Sequence, residues 1–417
     1  MAKTGRMSTR RARALLVALT GAAVLGGCAS GREEDTGIAG DTLTIYASQP
    51  LQGRLGAQAA DVVRAERLAL EQAGGRAGRF RIRFVALNSA DPETGAWDPG
   101  MVSANARRGV QDERTIAYLG ELETGASAVS IPILNEAGIL AISPADTVAG
   151  FTRKRGAAPG EPDKYYPTRE RNFARLVPPD DVQAAALVAY MRDSRVRRLF
   201  VVNDESQYGG ALSLSVARAA RRDGIEVLDE HGTHPARTDP RALAAEIAAA
   251  RAEAVVYLGS PGPGVARLLA AVHRAAPRLK LFAPNALAQP DFLESLGPAA
   301  EMTFLTAPTL SPRQYPPSRV AFARRFRARY GHDPAPEAFF GYEAMSLALS
   351  AIAGAGADAN DREQVIEAMF RTGRSRESII GSYSIDPRGD TSVTVYGAYR
   401  VRRGRLAFER VLDPLGA

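Results

Sequence analysis

The side chains best suited to chemistry sit in two short loops, 121–124 and 143–147. The first follows an apolar run, 116–119, closed by Gly120, and leads into a helical pattern from about 125 to 137. Gly138 stops that helix, and 139–142 reads as a second strand ending at Ser143-Pro144. Strand, loop, helix, strand is a βαβ unit with a right-handed crossover and a parallel sheet. Ligands of open α/β sheets bind where such strands end. Both loops carry hydroxyls, and the first feeds a helix start whose N–H groups lack partners inside the helix. An anion there gains about 0.3–2 kcal/mol from the dipole. Thr124 can hold such a ligand or simply cap the helix, and the two readings stand level. The strand-end acids Asp91, Glu121, Glu123, Asp146, Asp204 and Glu205 suit a ligand ammonium, although most acids so placed are solvated or cap helices.

Catalytic and metal chemistry find no candidate set. His231, His234, His273 and His332 lack ligand spacing, and His231 and His234, three apart in a turn, read as surface residues. No serine sits in a G-x-S-x-G elbow. The loop 259–264 (GSPGPG) follows a strand and precedes a helix, but two prolines remove N–H donors that a phosphate needs, so it reads as a connection.

The elements that must position the two loops form two alternating sets. Strands at 43–47, 81–87, 116–119 and 139–142 alternate with helices at 57–72, 99–111 and 125–137. The stretch 150–171 shows no period and reads as a long loop. Helices at 182–192, 208–222, 240–252 and 264–275 then alternate with strands at 199–203, 225–228, 255–259, 281–283 and 304–307. Helices at 318–330, 336–353 and 361–370 follow. The tail, 381–386, 393–401 and 406–411, reads as antiparallel strands joined by turns at 386–389 and 402–404. The expected fold is α/β: two doubly wound parallel-sheet lobes joined by a multi-strand hinge. The expected division is lobe I at 41–176 plus 309–377 and lobe II at 177–308 plus 378–417.

The chain of 417 residues, 45% hydrophobic and 24% charged, has the composition of a globular protein of two lobes. Its N-terminus is different. Lys3, Arg6, Arg10, Arg11 and Arg13 precede an apolar run at 14–24 that is too short to span a membrane, so 1–27 reads as an export signal. Removing it takes five basic and no acidic residues and lowers the net charge from +7 to +2, so nucleic acid is not an expected partner. Cys28, the only cysteine, excludes an internal disulfide. Its position after Leu25-Gly26-Gly27 resembles the lipobox of bacterial lipoproteins, which implies lipidation there, with 28–40 as a flexible tether to the membrane surface.

Several segments together resemble the leucine/isoleucine/valine-binding proteins of ABC importers. They are Pro50-Leu51-Gln52-Gly53 with Gly74-Gly75, then 120–147 with Ile139 to Pro144. Phe173-Ala174-Arg175 with Pro178, Asp181 and Gln183 is similar to that family's hinge entry, Asp204 to Gly209 to its second-lobe loop, and 381–390 to its C-terminal hairpin. The resemblance implies a type I periplasmic-binding-protein fold and an extracytoplasmic, lipid-anchored monomer without a cofactor. Such a protein captures a small ligand, an amino acid or a related amide or carboxylate, and delivers it to a membrane permease. A sensor of the same fold is the alternative. By the same resemblance, Thr124 and Thr147, with the backbone at Ala145, hold the ligand's carboxylate and ammonium, and Tyr208 closes over it. Asn285 stands where amino-acid-binding members carry an acid, and Leu55 where many carry an aromatic. Asp146, Glu121 and Glu123 are candidates for the charge absent at 285, and equally for repelling a carboxylate.

Overall fold

The computed structural model describes residues 37–416 except Thr124, 155–156 and 235–236. The expected export signal and Cys28 therefore lie outside the described residues, as does Thr124.

Two sheets carry the fold. The six-stranded sheet runs Arg76–Ala77, Phe80–Asn88, Thr42–Gln49, Thr115–Leu119, Leu140–Ser143, Phe173–Arg175. Its neighbours are parallel except for the short Arg76–Ala77 hairpin partner. The seven-stranded sheet runs Glu226–Gly232, Arg198–Asn203, Ala254–Leu258, Lys280–Pro284, Thr303–Ala307, Tyr396–Arg402, Arg405–Leu412 in space, the last two antiparallel. Leaving aside the short Arg76–Ala77 strand, the first strand in sequence in each sheet has the second on one side and the third on the other. That reversal creates a crevice at the carboxyl ends of the strands.

Hydrophobic pattern places the helices. Gly56–Gln72 buries Val62, Ala65, Leu68 and Ala69, the face expected from the sequence, against Ala338–Gly354. The two helices approach so closely that a Cβ on Gly341 would lie 2.7 Å from Val62 Cγ1. Pro99–Gln111 has the expected bounds and is capped by Asp98, whose carboxylate accepts from the Met101 amide at 2.8 Å. The aperiodic stretch 150–171 is a packed cover: Phe151, Tyr165 and Tyr166 are buried on the first sheet, and the Tyr166 hydroxyl donates to the Phe151 carbonyl at 2.9 Å. Aromatic anchors, not periodicity, fix it there.

The tail departs from its expected layout. Gly381–Tyr383 pairs with Arg376–Ser378 in a separate two-stranded sheet, and Ile379, Ile380, Tyr383 and Ile385 enter the core of the first sheet. The chain therefore crosses to the second sheet after this hairpin and not at 377, because its apolar side chains are buried with the first. Only Tyr396–Arg402 and Arg405–Leu412 join the second sheet.

Where the chain crosses, charge is buried. Arg175 is fully inaccessible; its Nε donates to Asp390 Oδ1 at 2.8 Å and its Nη1 to the Val148 carbonyl at 2.7 Å, with Thr152 as a further partner. Arg153 also pairs with Asp390 and reaches Asp181 at 3.1 Å. Both arginines hold the Asp390 carboxyl below the usual carboxylate range against the effect of burial. Removing one partner of such a buried pair strands the other, a loss of about 3–5 kcal/mol. Asp390→Ala should therefore lower the thermal midpoint by roughly 5 °C, and calorimetry showing a change of under about 1 °C would contradict this account of the hinge.

Candidate functional site

The strand ends of the two sheets face one another across a cavity of about 820 Å³. From the first sheet's side come Ala145 and Thr147, from the second sheet's side Tyr208 and Asn285, and all four line it. The structure thus brings together every sequence-derived ligand residue that lies among the described ones.

Local chemistry explains their placement. The Ser143 hydroxyl donates to the Glu121 carbonyl at 2.8 Å and accepts from the amides of Ala145 at 3.2 Å and Asp146 at 2.8 Å. One hydroxyl therefore ties the two loops of the βαβ unit together. The helix after the first loop spans Ser127–Glu136, starting two residues later than the sequence pattern suggests. Its first turn meets the protein's own Asp146, because the Ser127 amide and hydroxyl favour the ionised form of that buried carboxylate. Part of the positive helix end expected to hold a ligand carboxylate is thus used internally.

Across the cleft, Ser206 caps Gln207–Arg222 by accepting from the Gly209 amide at 3.0 Å. The carboxylate of Asp204 accepts from the amides of Ser206 at 3.1 Å and Ser260 at 2.8 Å, joining two strand-end loops. Gly209 has no room for a side chain, since its Cβ would lie 2.6 Å from the Leu258 carbonyl. That close approach sets Tyr208 at the cleft. The Tyr208 hydroxyl donates to Gln183 Oε1 at 3.4 Å, and Gln183 Nε2 donates to Asn285 Oδ1 at 2.9 Å. The oxygen of Asn285 accepts this one bond and keeps a second lone pair, so the residue offers a ligand a neutral amide where an acid would carry charge.

Sequence reasoning missed a buried acid behind the cleft. Asp180 is 1% exposed, and its amide donates to the Thr147 carbonyl at 2.8 Å. The neighbouring Asp181, singled out with the hinge motif, instead pairs with Arg153. Which of two adjacent aspartates turns inward depends on the register of the helix Asp180–Asp193, and no pattern in the sequence signals it. Tyr396 and Trp97 also line the cavity, and Trp97 supplies an aromatic ring on the side where Leu55 lacks one. Among the described residues, one trio with ligand atoms within 4.8 Å of one another, Asp229, His231 and Glu246, is found on the second sheet's side. None of the three lines the cavity.

The buried acids are poorly compensated. Burial pushes Glu121 up to about 8, Asp180 up to about 7 and Asp146 up to about 6. The Tyr118 hydroxyl donates to Glu121 at 3.0 Å but offsets only part of that effect.

Two opposed α/β lobes with a cleft between them define a ligand-capturing protein of the type I periplasmic-binding fold. The chain matches the family described as periplasmic binding protein over residues 42–405, and it belongs to that family. It is 24% identical over 363 residues to the Leu/Ile/Val-binding protein homolog 2 of Brucella abortus (strain 2308), covering 87% of this chain and 91% of the relative. Its structure is similar to a leucine-binding protein of Thermotoga maritima, with a TM-score of 0.75 at 22% identity over 89% of this chain and 99% of the other. It is also similar to an ABC-transporter solute-binding protein of R. palustris solved with benzoate, with a TM-score of 0.71 at 19% identity over 89% and 96% of the two chains. These relatives are solute-binding proteins and not enzymes. Among the described residues, no helix is long and apolar enough to cross a membrane.

The raised acids set a pH dependence. Each binds its proton more tightly in the folded chain than at its unfolded value of about 4. Between about pH 4 and pH 8 the folded state therefore holds more protons, and stability falls as pH rises through that window. Carboxyls held low, such as Asp390, contribute fully once pH exceeds their unfolded value and do not oppose this trend. Without added ligand, the thermal midpoint should be lower at about pH 8 than at about pH 5. A midpoint that rises across this interval in scanning calorimetry would contradict the burial of Glu121, Asp146 and Asp180.

Proposed function

We propose that the protein is an extracytoplasmic solute-binding protein, anchored by a lipid on Cys28, that captures a small polar ligand and hands it to an ABC permease. The ligand class is an amino acid or a related amide or carboxylate, held by Thr124, Ala145, Thr147, Tyr208 and Asn285. The observation that carries this reading is the cavity lined from both lobes at their strand ends, with Thr147 on one wall and Tyr208 on the other. A ligand touching both walls is bound better when the lobes close, so binding shifts a hinge equilibrium by its differential affinity. The closed, loaded form is the one a permease would read. Lobe I comprises 41–176 plus 309 to about 392, and lobe II 177–308 plus the chain from about 393 to 417, with Arg175 and Asp390 near the crossings.

A small polar ligand at micromolar affinity binds with about −8 kcal/mol, which a few charge-assisted hydrogen bonds in a dehydrated cleft can supply. At a hundredfold excess over its dissociation constant it stabilises the folded chain by about 2.7 kcal/mol. Thr147→Val and Tyr208→Ala should each abolish that ligand-induced rise in thermal midpoint. If both variants respond like the parent to the ligand that shifts it, the site is wrong. For the anchor, mass spectrometry of the mature N-terminus should find diacylglyceryl on Cys28, and an unmodified cysteine there would reject it.

A further inference from the structure

One residue on the second sheet's side is bonded to both of the side chains that face the cleft there, without facing the cleft itself. Gln183 lies in the first turn of the helix Asp180–Asp193 and is 1% exposed. It does not line the cavity, whereas Tyr208 and Asn285 do. Its Oε1 accepts from the Tyr208 hydroxyl at 3.4 Å, and its Nε2 donates to Asn285 Oδ1 at 2.9 Å. Those two residues come from separate strand ends. Tyr208 follows Arg198–Asn203, Asn285 follows Lys280–Pro284, and Ala254–Leu258 lies between these strands in the sheet. One side chain thus joins two cleft segments that the sheet itself keeps apart.

Packing alone does not ask for a glutamine at this position. Its neighbours on the helix, Val182, Ala184, Ala186 and Leu187, are buried in an apolar cluster. An amide at such depth is desolvated at a cost that hydrogen bonds must offset, and both ends of this one are bonded. The turn that bears it is fixed to the opposite wall. The Asp180 amide donates to the Thr147 carbonyl at 2.8 Å, and the Gln183 amide donates to the Pro179 carbonyl at 3.2 Å. Asp181 pairs with Arg153, which pairs in turn with Asp390. Thr147 lines the cavity from the first sheet's side. The same helical turn therefore holds Thr147 on one wall and, through Gln183, Tyr208 and Asn285 on the other.

We propose that Gln183 is the positioning residue of the cleft: its two amide ends hold Tyr208 and Asn285 as one unit, in fixed register with Thr147. This rests on the solute-binding reading and assigns that site its internal support. The ligand touches Tyr208 and Asn285, and Gln183 acts through them. Without the amide, each side chain regains rotamer freedom that a ligand must remove on binding. Truncating either lining residue frees one end of the amide and loosens its hold on the other, so the two losses overlap.

The test is a pair of double-mutant cycles, read by isothermal titration calorimetry on the mature protein with leucine, isoleucine and benzoate as probes. For a probe that binds the parent, Tyr208→Phe and Asn285→Ala should each weaken binding by about fivefold. The double variant should stay within about twofold of the weaker single and not reach their product, about 25-fold. Gln183→Met, similar in length and without polar ends, should weaken binding by about tenfold. In that background Tyr208→Phe and Asn285→Ala should each add less than about twofold. Losses that multiply in full in either cycle overturn the positioning role and leave the cleft as a solute site, because a residue needed only for packing lowers every affinity by one common factor. The first cycle contains no Gln183 variant, so it decides the matter even where Gln183→Met does not fold. If Tyr208→Phe and Asn285→Ala both bind like the parent, or all three probes are silent, the solute site at these residues is overturned as well.

Discussion

The structure depends on how one guanidinium is spent. Arg175 is fully buried where the chain leaves the first sheet, and it satisfies itself on Asp390, Val148 and Thr152. Isolated, such a charge would be intolerable. Paired, it pins the loop after Ser143 through the Val148 carbonyl and the C-terminal hairpin through Asp390. It therefore fixes both the strand-end loop that carries Thr147 and the segment through which the chain returns to the second sheet. The cleft floor has its shape because this arginine faces away from the cleft.

That commitment also sets the electrostatics of the cleft. Arg175 and Arg153 are matched against Asp390 and Asp181, while Asp146 and Asp180 share only the residual field. Their carboxyls, with that of Glu121, are driven upward by burial, and the cost is carried by the packing of the two cores. Groups held in unfavourable ionisation at a cleft are a common mark of function. The cleft itself is lined by polar groups from both sides, Thr147 beside the first sheet and Tyr208, Asn285 and Tyr396 beside the second. A hinged protein with complementary walls can be pulled shut by a ligand that bridges them.

Much of this was legible in the residues. The alternation of apolar runs and helical patterns places nearly every strand and helix of both sheets, and the bounds of Pro99–Gln111 coincide with the pattern. Thr147, Ala145, Tyr208 and Asn285 stand at strand ends in the sequence and meet in one cavity in the structure. What escaped was held by long-range packing. The 150–171 stretch has no period because aromatic anchors, not regular structure, hold it. The hairpin at 376–385 belongs with the first sheet because its isoleucines are buried there, which no local pattern expresses.

The sequence by itself determined the two-lobed α/β plan and the strand-end loops where a ligand would sit, because period and punctuation are local properties of the chain. It could not decide which aspartate faces inward, because Asp180 and Asp181 are adjacent and chemically identical. Nor could it decide how Asn285 presents its amide, because that is set by Gln183, distant in sequence and bonded only once the second lobe has folded. Tertiary structure alone made these choices, through helix register and a hydrogen bond between remote segments.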